Sequence, residues 1–434
     1  MKVSDIKSSI SKAIKARDFV GEFAPANIEL LKQRLGTFEA VLTGNGNEKC
    51  LIPEIGTVHY LYRGQNVEFA PCLPTIYRGN PSDEQIFLNR MRLVAFKRLL
   101  DSHPVIQYFF RKHNFLVSVE GLAQHYGIET EILDLTSNLD VALFFAVCKY
   151  NAGKDSYDYY RDGVHKGVLY VFDPFYDNDT IPLSPMDSYM NGLIKPIGLQ
   201  AFKRPSVQYG YGLHLKRGKS TKSWMFEFEF TSDESDYYYN LFKGGERLWV
   251  KDRLVNKVNE INCLKEFSYN LFNETFSLYR PKGWSANKMK GAINGLGIEL
   301  KSRADDILFA KSEKGEIIQE WNDYLGRDFA SKIIRKGWYN YTDVIKGNDG
   351  QEYINGIFNK SDYMTMEHLA EYFSLLSIAH VDGPEGAVWR NYTNMPFERK
   401  KHRKNTVYTH KVDPAMNDVF GTTYLTEEDW IINF

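Results

Sequence analysis

The sequence predicts an α+β fold, in which a mixed helix and strand domain precedes a mainly helical C-terminal domain. The first observation is that apolar residues recur at steps of three and four in some segments, which is typical of helices. The second is that they alternate strictly in others, which is typical of strands. The third is a shift to helical spacing after the turn from Arg280 to Gly283. We therefore expect three segments, a helical one at 1–49, a mixed one at 50–277 and a C-terminal one of unknown role at 278–434.

Local signals place the elements in order. Helices are predicted at 28–42, from the capping-box pair Ser82 and Gln85 to Pro104, at 118–126 before Gly127, from the pair Ser137 and Asp140 to Tyr150, at 305–310 and at 317–334. Strands are predicted at 57–63 before Gly64, at 132–135, at 167–172 and at 224–230. The result is a mixture of helices and strands in which the strands are not adjacent in the sequence.

Composition and hydropathy are those of a globular protein. The chain has 434 residues, 43% of them hydrophobic, and a formal net charge of -1. Its longest apolar run, Val141 to Cys148, has eight residues, whereas a membrane-spanning helix needs roughly 20. The N-terminal stretch lacks the apolar core of a secretory signal, and the four cysteines form neither a CxxC pair nor a cluster. We therefore expect a cytoplasmic protein that does not bind a membrane.

The near-zero net charge is the sum of opposed blocks. Residues 202–222 carry six cations and no acid, and residues 390–411 carry seven cations and one acid, so each window sums to +6. An acidic stretch follows each of them. Each positive window is therefore a candidate surface for an anionic ligand.

The first candidate site is the motif from Tyr62 to Gln65, which is echoed by Tyr77, Arg78 and Gly79. An arginine at the end of a strand can present its planar donor fork to a phosphate or carboxylate, and the glycine after it lets the ligand approach the backbone. A surface arginine before a turn would give the same pattern. Spacing alone leaves both interpretations open.

The second candidate site is the segment from Leu122 to Thr136. Six polar side chains crowd a helix end and one strand in this segment: Gln124, His125, Tyr126, Thr130, Asp134 and Thr136. A helix N-terminus, which favours anions, follows directly. Alternatively, the histidine is a core residue and the aspartate belongs to the start of the next helix.

The third candidate is the loop from Arg204 through Gln208 to Gly212, inside the first positive window. Glycines beside cations and tyrosines suit a loop that holds phosphates and stacks a planar ring, although a solvated loop can look the same. Glu227 and Glu229 share one face of a predicted strand, either as a functional carboxylate pair or as its wet face. No metal site is expected, because the ten histidines include neither an HExxH nor an HxxxH pair.

Together these motifs resemble the FRG domain, a family named after its Phe/Tyr-Arg-Gly motif. The resemblance covers roughly residues 50–275 and rests on Tyr62 to Gln65, Leu73 to Thr75, Arg78, Gln124 to Gly127, Thr130, Leu133, Asp134, Thr136, Ala142, Phe145, Ala146, Arg204, Gln208 and Gly210. Glu131, Leu135 and Tyr209 depart from the pattern, which would have Arg, Trp and a second Gln there.

The resemblance also implies a function. The family occurs in bacteria and phages, sometimes in defence or toxin-like settings, and one interpretation is that it is similar to ADP-ribosyltransferases. Such enzymes hold NAD in a cleft and use a late carboxylate to stabilise the cation-like ribose. By this resemblance, the catalytic residues would be His125, Tyr126 and Glu229. The substrate-binding residues would be Arg63, Gly64, Gln65, Arg78, Gln124, Thr130, Asp134, Thr136, Arg204 and Gln208. NAD would be a substrate, and no metal is implied.

The competing hypothesis is a non-enzymatic module that binds a nucleotide or a nucleic acid. The cationic run at 399–404 can neutralise phosphates, which would make the affinity fall steeply with salt. A solvated loop would also explain this run. A third hypothesis, a chain that makes protein contacts alone, has no sequence feature in its favour.

Overall fold

In the computed structural model, the described residues are 2–18, 38–42, 49–53, 60–69, 71–112, 115–151, 153–172, 194–219, 224–332, 340–346, 352–358, 397–401 and 406–411. The helices are α1 (Val3–Asp18), α2 (Asp83–Asp101), α3 (Val119–His125), α4 (Leu139–Val147), α5 (Lys203–Val207), α6 (Ser232–Leu241), α7 (Arg253–Cys263), α8 (Tyr269–Tyr279), α9 (Ala286–Gly295), α10 (Lys311–Glu320) and α11 (Gly326–Ser331). Short 3-10 turns lie at Thr75–Tyr77 and Lys243–Gly245, and π-helical turns at Val105–Phe110 and Trp321–Leu325.

The strands are β1 (Phe38–Leu42), β2 (Lys49–Pro53), β3 (Leu61–Gln65), β4 (Ile132–Thr136), β5 (Cys148–Asn151), β6 (Ser156–Tyr159), β7 (Val164–Phe172), β8 (Ile194–Pro196), β9 (Gly210–His214), β10 (Trp224–Thr231), β11 (Glu266–Ser268), β12 (Glu299–Lys301), β13 (Asn340–Lys346), β14 (Glu352–Phe358), β15 (Phe397–Lys401) and β16 (Thr406–Lys411). Helices and strands are interspersed, which confirms the predicted α+β class. Within the described ranges, none of the helices has the length and the apolar sequence needed to cross a bilayer.

The chain forms two compact units, and each is discontinuous in sequence. The first consists of Met1–Glu22, Gly56–His103 and Val117–Phe309, and the second of Phe23–Ile55, Pro104–Leu116 and Ala310–Phe434. These units cut across the three predicted segments, 1–49, 50–277 and 278–434, whose boundaries stay predictions.

A six-stranded sheet lies at the centre of the first unit. Its strand order is β10-β7-β3-β4-β9-β8, and every neighbouring pair is antiparallel. In β7, Leu169 pairs with Gly64 of β3 on one side and with Phe226 of β10 on the other. The strand that carries Arg63 and the strand that carries Glu229 are therefore separated by β7.

Helix α4 covers one face of this sheet. Its sequence is apolar almost throughout, as expected for a helix that is buried on most sides, and the Asn138 side chain caps it by accepting from the backbone N–H groups of Asp140 and Val141. A Cβ atom on Gly64 would lie 1.7 Å from the carbonyl oxygen of Ala142. Glycine at this position therefore lets the helix backbone touch the strand.

Two helix signals of the sequence are confirmed. Ser82 and Gln85 form both hydrogen bonds of a capping box at the start of α2. Gly127 follows α3 with a φ of 93°, the left-handed conformation that ends many helices. The second predicted capping box is absent, because Asn138 rather than Ser137 caps α4. The helix also ends at Val147 and is followed by β5, so it does not continue to Tyr150 as predicted.

Three other predictions need correction. Gly64 does not end β3, which continues to Gln65. Residues 38–42 form β1 rather than the end of the helix predicted at 28–42, and residues 28–37 lie outside the described residues. Positions four apart share a face in a strand as well as in a helix, so this spacing does not distinguish the two. Residues 305–310 lie outside any helix, and α10 begins only at Lys311, where the Glu313 side chain accepts from the Ala310 N–H.

The second unit combines helical turns with two antiparallel sheets. One sheet pairs β1 with β2, and the other has the strand order β13-β14-β16-β15. Phe109 packs against Trp321 and Phe329 with ring centroids 5.1 and 5.8 Å away. The predicted helix at 317–334 is present as α10, a π-helical turn and α11 up to Ser331. The four-stranded sheet is not predicted by the sequence analysis.

Candidate functional site

Gln124, in the last turn of α3, joins three segments of the first unit. Its Oε1 atom accepts hydrogen bonds from Thr75 Oγ1 (3.1 Å), Thr130 Oγ1 (2.9 Å) and Thr130 N (3.3 Å). Its Nε2 atom donates to Asp134 Oδ2 over 3.2 Å. The side-chain amide therefore fixes the turn at Thr75, the loop before β4 and β4 itself relative to one another.

The Arg63 side chain connects β3 to β4 beyond the point where their backbone pairing ends. The described ladder between these strands has one pair, Tyr62 with Thr136, and Arg63 Nη1 donates to the backbone oxygen of Asp134 over 2.9 Å. This bond satisfies a carbonyl group that a longer ladder would satisfy with backbone N–H groups. Part of the Arg63 side chain is thus structural.

His125 and Asp134 face each other, with His125 Nε2 4.0 Å from Asp134 Oδ1. Burial lowers the pKa of the imidazole, and Asp134 opposes that effect in part. The nearby Gln208 side chain also opposes the effect of burial on this pKa. A Cβ atom on Gly210 would lie 2.8 Å from Nε2, so this glycine makes room for the ring. The pair is therefore a neutral imidazole beside a carboxylate that is about one third exposed.

Arg204 is buried behind His125, with 2% of its surface exposed. Its Nε atom donates to Val250 O (2.7 Å) and its Nη1 atom to His125 O (3.1 Å). The guanidinium lies between the rings of Tyr126 and Trp249, 4.7 and 4.3 Å from their centroids. Its charge is thus stabilised by carbonyl oxygens and aromatic faces, and Arg204 supports the site from inside rather than from the surface.

Two further contacts complete this hydrogen-bonded network. Thr136 Oγ1 donates to Gln208 O over 2.6 Å, and Gln208 Nε2 donates to Leu248 O over 2.9 Å. The Tyr126 hydroxyl donates to the Asp252 carboxylate. Burial raises the pKa of Tyr126 and also that of Asp252. Tyr126 is therefore a neutral donor whose hydroxyl group is already engaged.

Arg63 and Arg78 form a cationic pair at the edge of the network. Partial burial lowers the pKa of Arg78, and the charge of Arg63 lowers it further, whereas Cys72, Asp134 and Glu129 oppose the shift. Arg78 Nε donates to Leu73 O over 3.1 Å, and the Cys72 thiol, whose pKa is raised by burial, forms a hydrogen bond with Arg63. Neither arginine forms an ion pair with a carboxylate of the described residues.

Buried polar atoms without a hydrogen-bond partner concentrate at the predicted site. In the part of the chain that the structure describes there are eight such side-chain atoms, and five belong to predicted site residues: Arg63 Nε, Gln65 Oε1, His125 Nε2, Asp134 Oδ1 and Arg204 Nη2. Most buried polar groups in proteins are paired, with protein or with ordered water. Each of these atoms therefore needs a partner that the described side chains do not supply, such as ordered water or a ligand.

Two predicted site residues lie apart from the network. Glu229 is exposed on β10, which β7 separates from β3, so even its neighbour Glu227 is about two strand spacings (~10 Å) from Gln65. Glu227 instead forms an ion pair with Lys166. Gly64 has its open side filled by α4 and not by space for a ligand. The strand that carries Glu229 is therefore not a neighbour of the strand that carries Arg63, a question that the sequence leaves open.

The network also includes residues that the sequence analysis did not select. Thr75 is part of the Leu73 to Thr75 motif, which lies three residues before Arg78, and this spacing is the signal that places it near the site. Asp252 caps α7, and an aspartate before a helix is a detectable signal. Trp249 has no sequence signal, because its contact with Arg204 depends on how distant segments pack. Across the described residues, no group of three or more His, Cys, Asp and Glu side chains could hold a metal ion.

Comparison with known proteins gives one family. The model of the FRG domain family matches residues 58–155, which include Arg63, Arg78 and the segment from Gln124 to Thr136. No curated protein and no solved structure matches the chain. The similarity to ADP-ribosyltransferases stays a prediction. Residues 58–155 of this chain therefore belong to an FRG domain, and the network described above is built largely from it.

Proposed function

We propose that the FRG domain binds the phosphate groups of a nucleotide at the Arg63 and Arg78 pair. The observation that carries this proposal is the proximity of two guanidinium groups, neither of which forms an ion pair with a carboxylate of the described residues, although Asp134 and Glu129 act on Arg78 from a greater distance. Like charges repel, and a phosphate between them would remove that repulsion. The planar donor fork of arginine also matches the geometry of phosphate oxygens.

NAD is the first nucleotide to test, because the resemblance to the FRG domain implies a similarity to ADP-ribosyltransferases, which use NAD. The second candidate function is ADP-ribosyl transfer from NAD or hydrolysis of NAD. It is supported by Asp134, whose Oδ1 atom has no hydrogen-bond partner and whose backbone oxygen is bound by Arg63. A carboxylate in this position would stabilise the positive charge that develops on the ribose as the bond to nicotinamide breaks. Asp134 would then take the role first expected of Glu229. Consumption of NAD would suit a role in phage defence or as a toxin-like effector.

The binding proposal is tested by titration calorimetry with NAD and ADP-ribose. Arg78→Ala should weaken binding at least about tenfold, because a charge-assisted contact to phosphate is removed, and higher salt should weaken the wild-type complex. Arg247→Ala is the matched control, since Arg247 is also exposed and also donates to a backbone carbonyl, Leu241 O. Equal affinities of wild type and Arg78→Ala would contradict the proposal.

The same proteins decide between the two candidate functions. Nicotinamide released from labelled NAD by the wild type, and lost in Asp134→Asn while NAD binding persists, would support the enzyme. Tight binding of NAD with no nicotinamide released would leave a binding module and exclude the reaction.

A further inference from the structure

A cavity of about 310 Å³ opens beside Arg78, between the turn at Thr75–Tyr77 and helix α2. Its walls include the apolar side chains of Ile76 and Leu88 and the polar side chains of Arg78, Gln85, Asn89 and Glu129. This volume lies at the lower end of the range of small-molecule sites, and a nucleoside is a ligand of that size. Arg78 belongs both to this cavity and to the cationic pair with Arg63.

Three polar side chains of the cavity wall each form one hydrogen bond within the protein and keep further polar atoms available for a ligand. Arg78 donates through Nε to Leu73 O, which leaves its two terminal nitrogens. Gln85 accepts from the Ser82 N–H through Oε1, as part of the capping box, which leaves its NH₂ group. Glu129 accepts from Asn89 through Oε2 at 2.6 Å, which leaves Oε1. No described residue hydrogen-bonds to these remaining atoms.

Asn89 itself is oriented by a neighbour. Arg92 Nη1 donates to Asn89 Oδ1 over 2.9 Å, so the Asn89 amide group must turn its NH₂ group to Glu129. The Glu129 carboxylate is therefore positioned by a chain of two hydrogen bonds that begins at a cation. Groups fixed in advance lose less conformational entropy when a ligand binds.

We propose that this cavity takes the ribose and the base of the nucleotide whose phosphates bind at Arg63 and Arg78, an inference that rests on the proposed function. Glu129 Oε1 accepts hydrogen bonds from the ribose hydroxyl groups, which is how carboxylates recognise ribose in dinucleotide sites. The base packs against Ile76 and Leu88, and the Gln85 NH₂ group donates to an acceptor on its edge. The ligand class is a ribonucleoside diphosphate or a larger molecule that contains one.

The test compares ADP with inorganic pyrophosphate, a probe that has the phosphates but neither ribose nor base. Both are titrated into the full-length wild type, Glu129→Gln and Glu246→Gln. Loss of the Glu129 charge removes repulsion from an anion, so pyrophosphate should bind Glu129→Gln as tightly as the wild type or more tightly. Loss of a hydrogen bond to a charged acceptor should lower the affinity for ADP, relative to pyrophosphate, about tenfold.

Two controls make the result specific. Glu246 is an exposed carboxylate on the segment after the turn at Lys243–Gly245, so Glu246→Gln should leave the ratio of the two affinities unchanged. The wild type should also prefer ADP to its 2′,3′-dideoxy analogue, and Glu129→Gln should lose that preference.

The remaining outcomes separate this inference from the proposed function. An unchanged ratio in Glu129→Gln, with pyrophosphate still bound through Arg78, overturns the cavity assignment and leaves the phosphate site standing. Failure of the wild type to bind either probe overturns both.

Discussion

Gly64, the glycine of the FRG motif, is occupied on its open side by a helix. A Cβ atom there would lie 1.7 Å from Ala142 O and 3.0 Å from Ala146 N, both backbone atoms that cannot move independently. Arg63 and Gln65, which flank it, are on the other side of β3, where the cationic pair lies. The motif thus combines a packing residue with an arginine for which we propose a role in binding phosphate.

Gly64→Ala should therefore destabilise the protein. Overpacking of a core costs about 1–3 kcal/mol and occasionally more, and a clash with helix backbone belongs at the upper end of that range. Gly291→Ala is the control, because a Cβ atom on Gly291, within α9, meets nothing within 4 Å. That change should stabilise by about 1 kcal/mol, since alanine favours helix. Urea denaturation that gives both variants the same sign would contradict this interpretation.

The polar residues around Gln124 show what local sequence can predict. The motif spacing correctly brings Gln124, His125 and Asp134 to one place, because a short helix, a loop and a strand that follow one another must pack nearby. It cannot predict that Arg204 is buried between two rings, since Trp249 arrives from a distant part of the chain. Glu229 is misplaced for the same reason: alternation along β10 says which face a residue is on, but not which strand lies next to β10.

At the scale of elements, Glu131 ties β4 to α2, β9 and the turn at Thr75–Tyr77. It forms ion pairs with Arg90 and His214 and a hydrogen bond with Tyr77. Burial opposes ionisation of Glu131, but these hydrogen bonds outweigh it and lower its pKa to about 2. The same contact raises the pKa of His214 above its ordinary value of 6.5. This residue, which departs from the family pattern, therefore has a structural explanation.

The network predicts how stability depends on pH. The His214 pKa is higher in the folded than in the unfolded protein, so its contribution is complete below pH 6.5 and is lost as the pH rises through the raised value. The Glu131 pKa is lower in the folded protein, so its contribution is present above pH 4.5 and is lost as the pH falls to about 2.

Urea midpoints measured across this pH range check the prediction. Glu131→Gln should flatten both slopes, because it removes the partner of His214 together with the carboxylate itself. His214→Gln should flatten the slope above neutral pH and keep most of the acid slope, since Arg90 still stabilises the charged Glu131. If the urea midpoints of Glu131→Gln depend on pH as those of the wild type do, at both acidic and alkaline pH, then other groups determine the pH dependence of stability.

The sequence predicts helix ends correctly where hydrogen bonds and backbone angles within a few residues determine them. The capping box at Ser82 and the left-handed Gly127 follow from hydrogen bonds and backbone angles within a few residues. Strand order is not local: β7 lies between β3 and β10, although the three strands are far apart in the sequence. The alternation of Phe226, Phe228 and Phe230 identifies a strand but carries no information about its neighbours.

At the scale of the whole chain, α1 belongs to the unit that contains most of the FRG domain. Val3, Ile6 and Ile10 are buried in the same core cluster as Tyr62 and Phe228. The chain therefore leaves this unit after α1 and returns to it before β3, which no signal in the sequence reveals.

Ile6→Ala tests the role of α1. Ile6 is 2% exposed, so its truncation should cost about 2 kcal/mol or more of the free energy of unfolding. Lys12→Ala changes an exposed residue of the same helix and should change stability by less than about 0.5 kcal/mol. If thermal unfolding of the two variants is the same, α1 does not contribute to the core as described.

The cationic run at 399–404 is assigned only in part. Residues 399–401 lie in β15, at the edge of the four-stranded sheet, and residues 402–404 lie outside the described residues. Binding of nucleic acid through this run therefore stays a prediction, distinct from the nucleotide binding that we propose for the first unit.

The most direct test of the central claim is a crystal structure of the full-length protein grown with ADP. The account predicts phosphate oxygens within hydrogen-bonding distance of Arg63 and Arg78, with the ribose hydroxyl groups at Glu129. A nucleotide bound elsewhere on the chain, or none bound at saturating ADP, would contradict it.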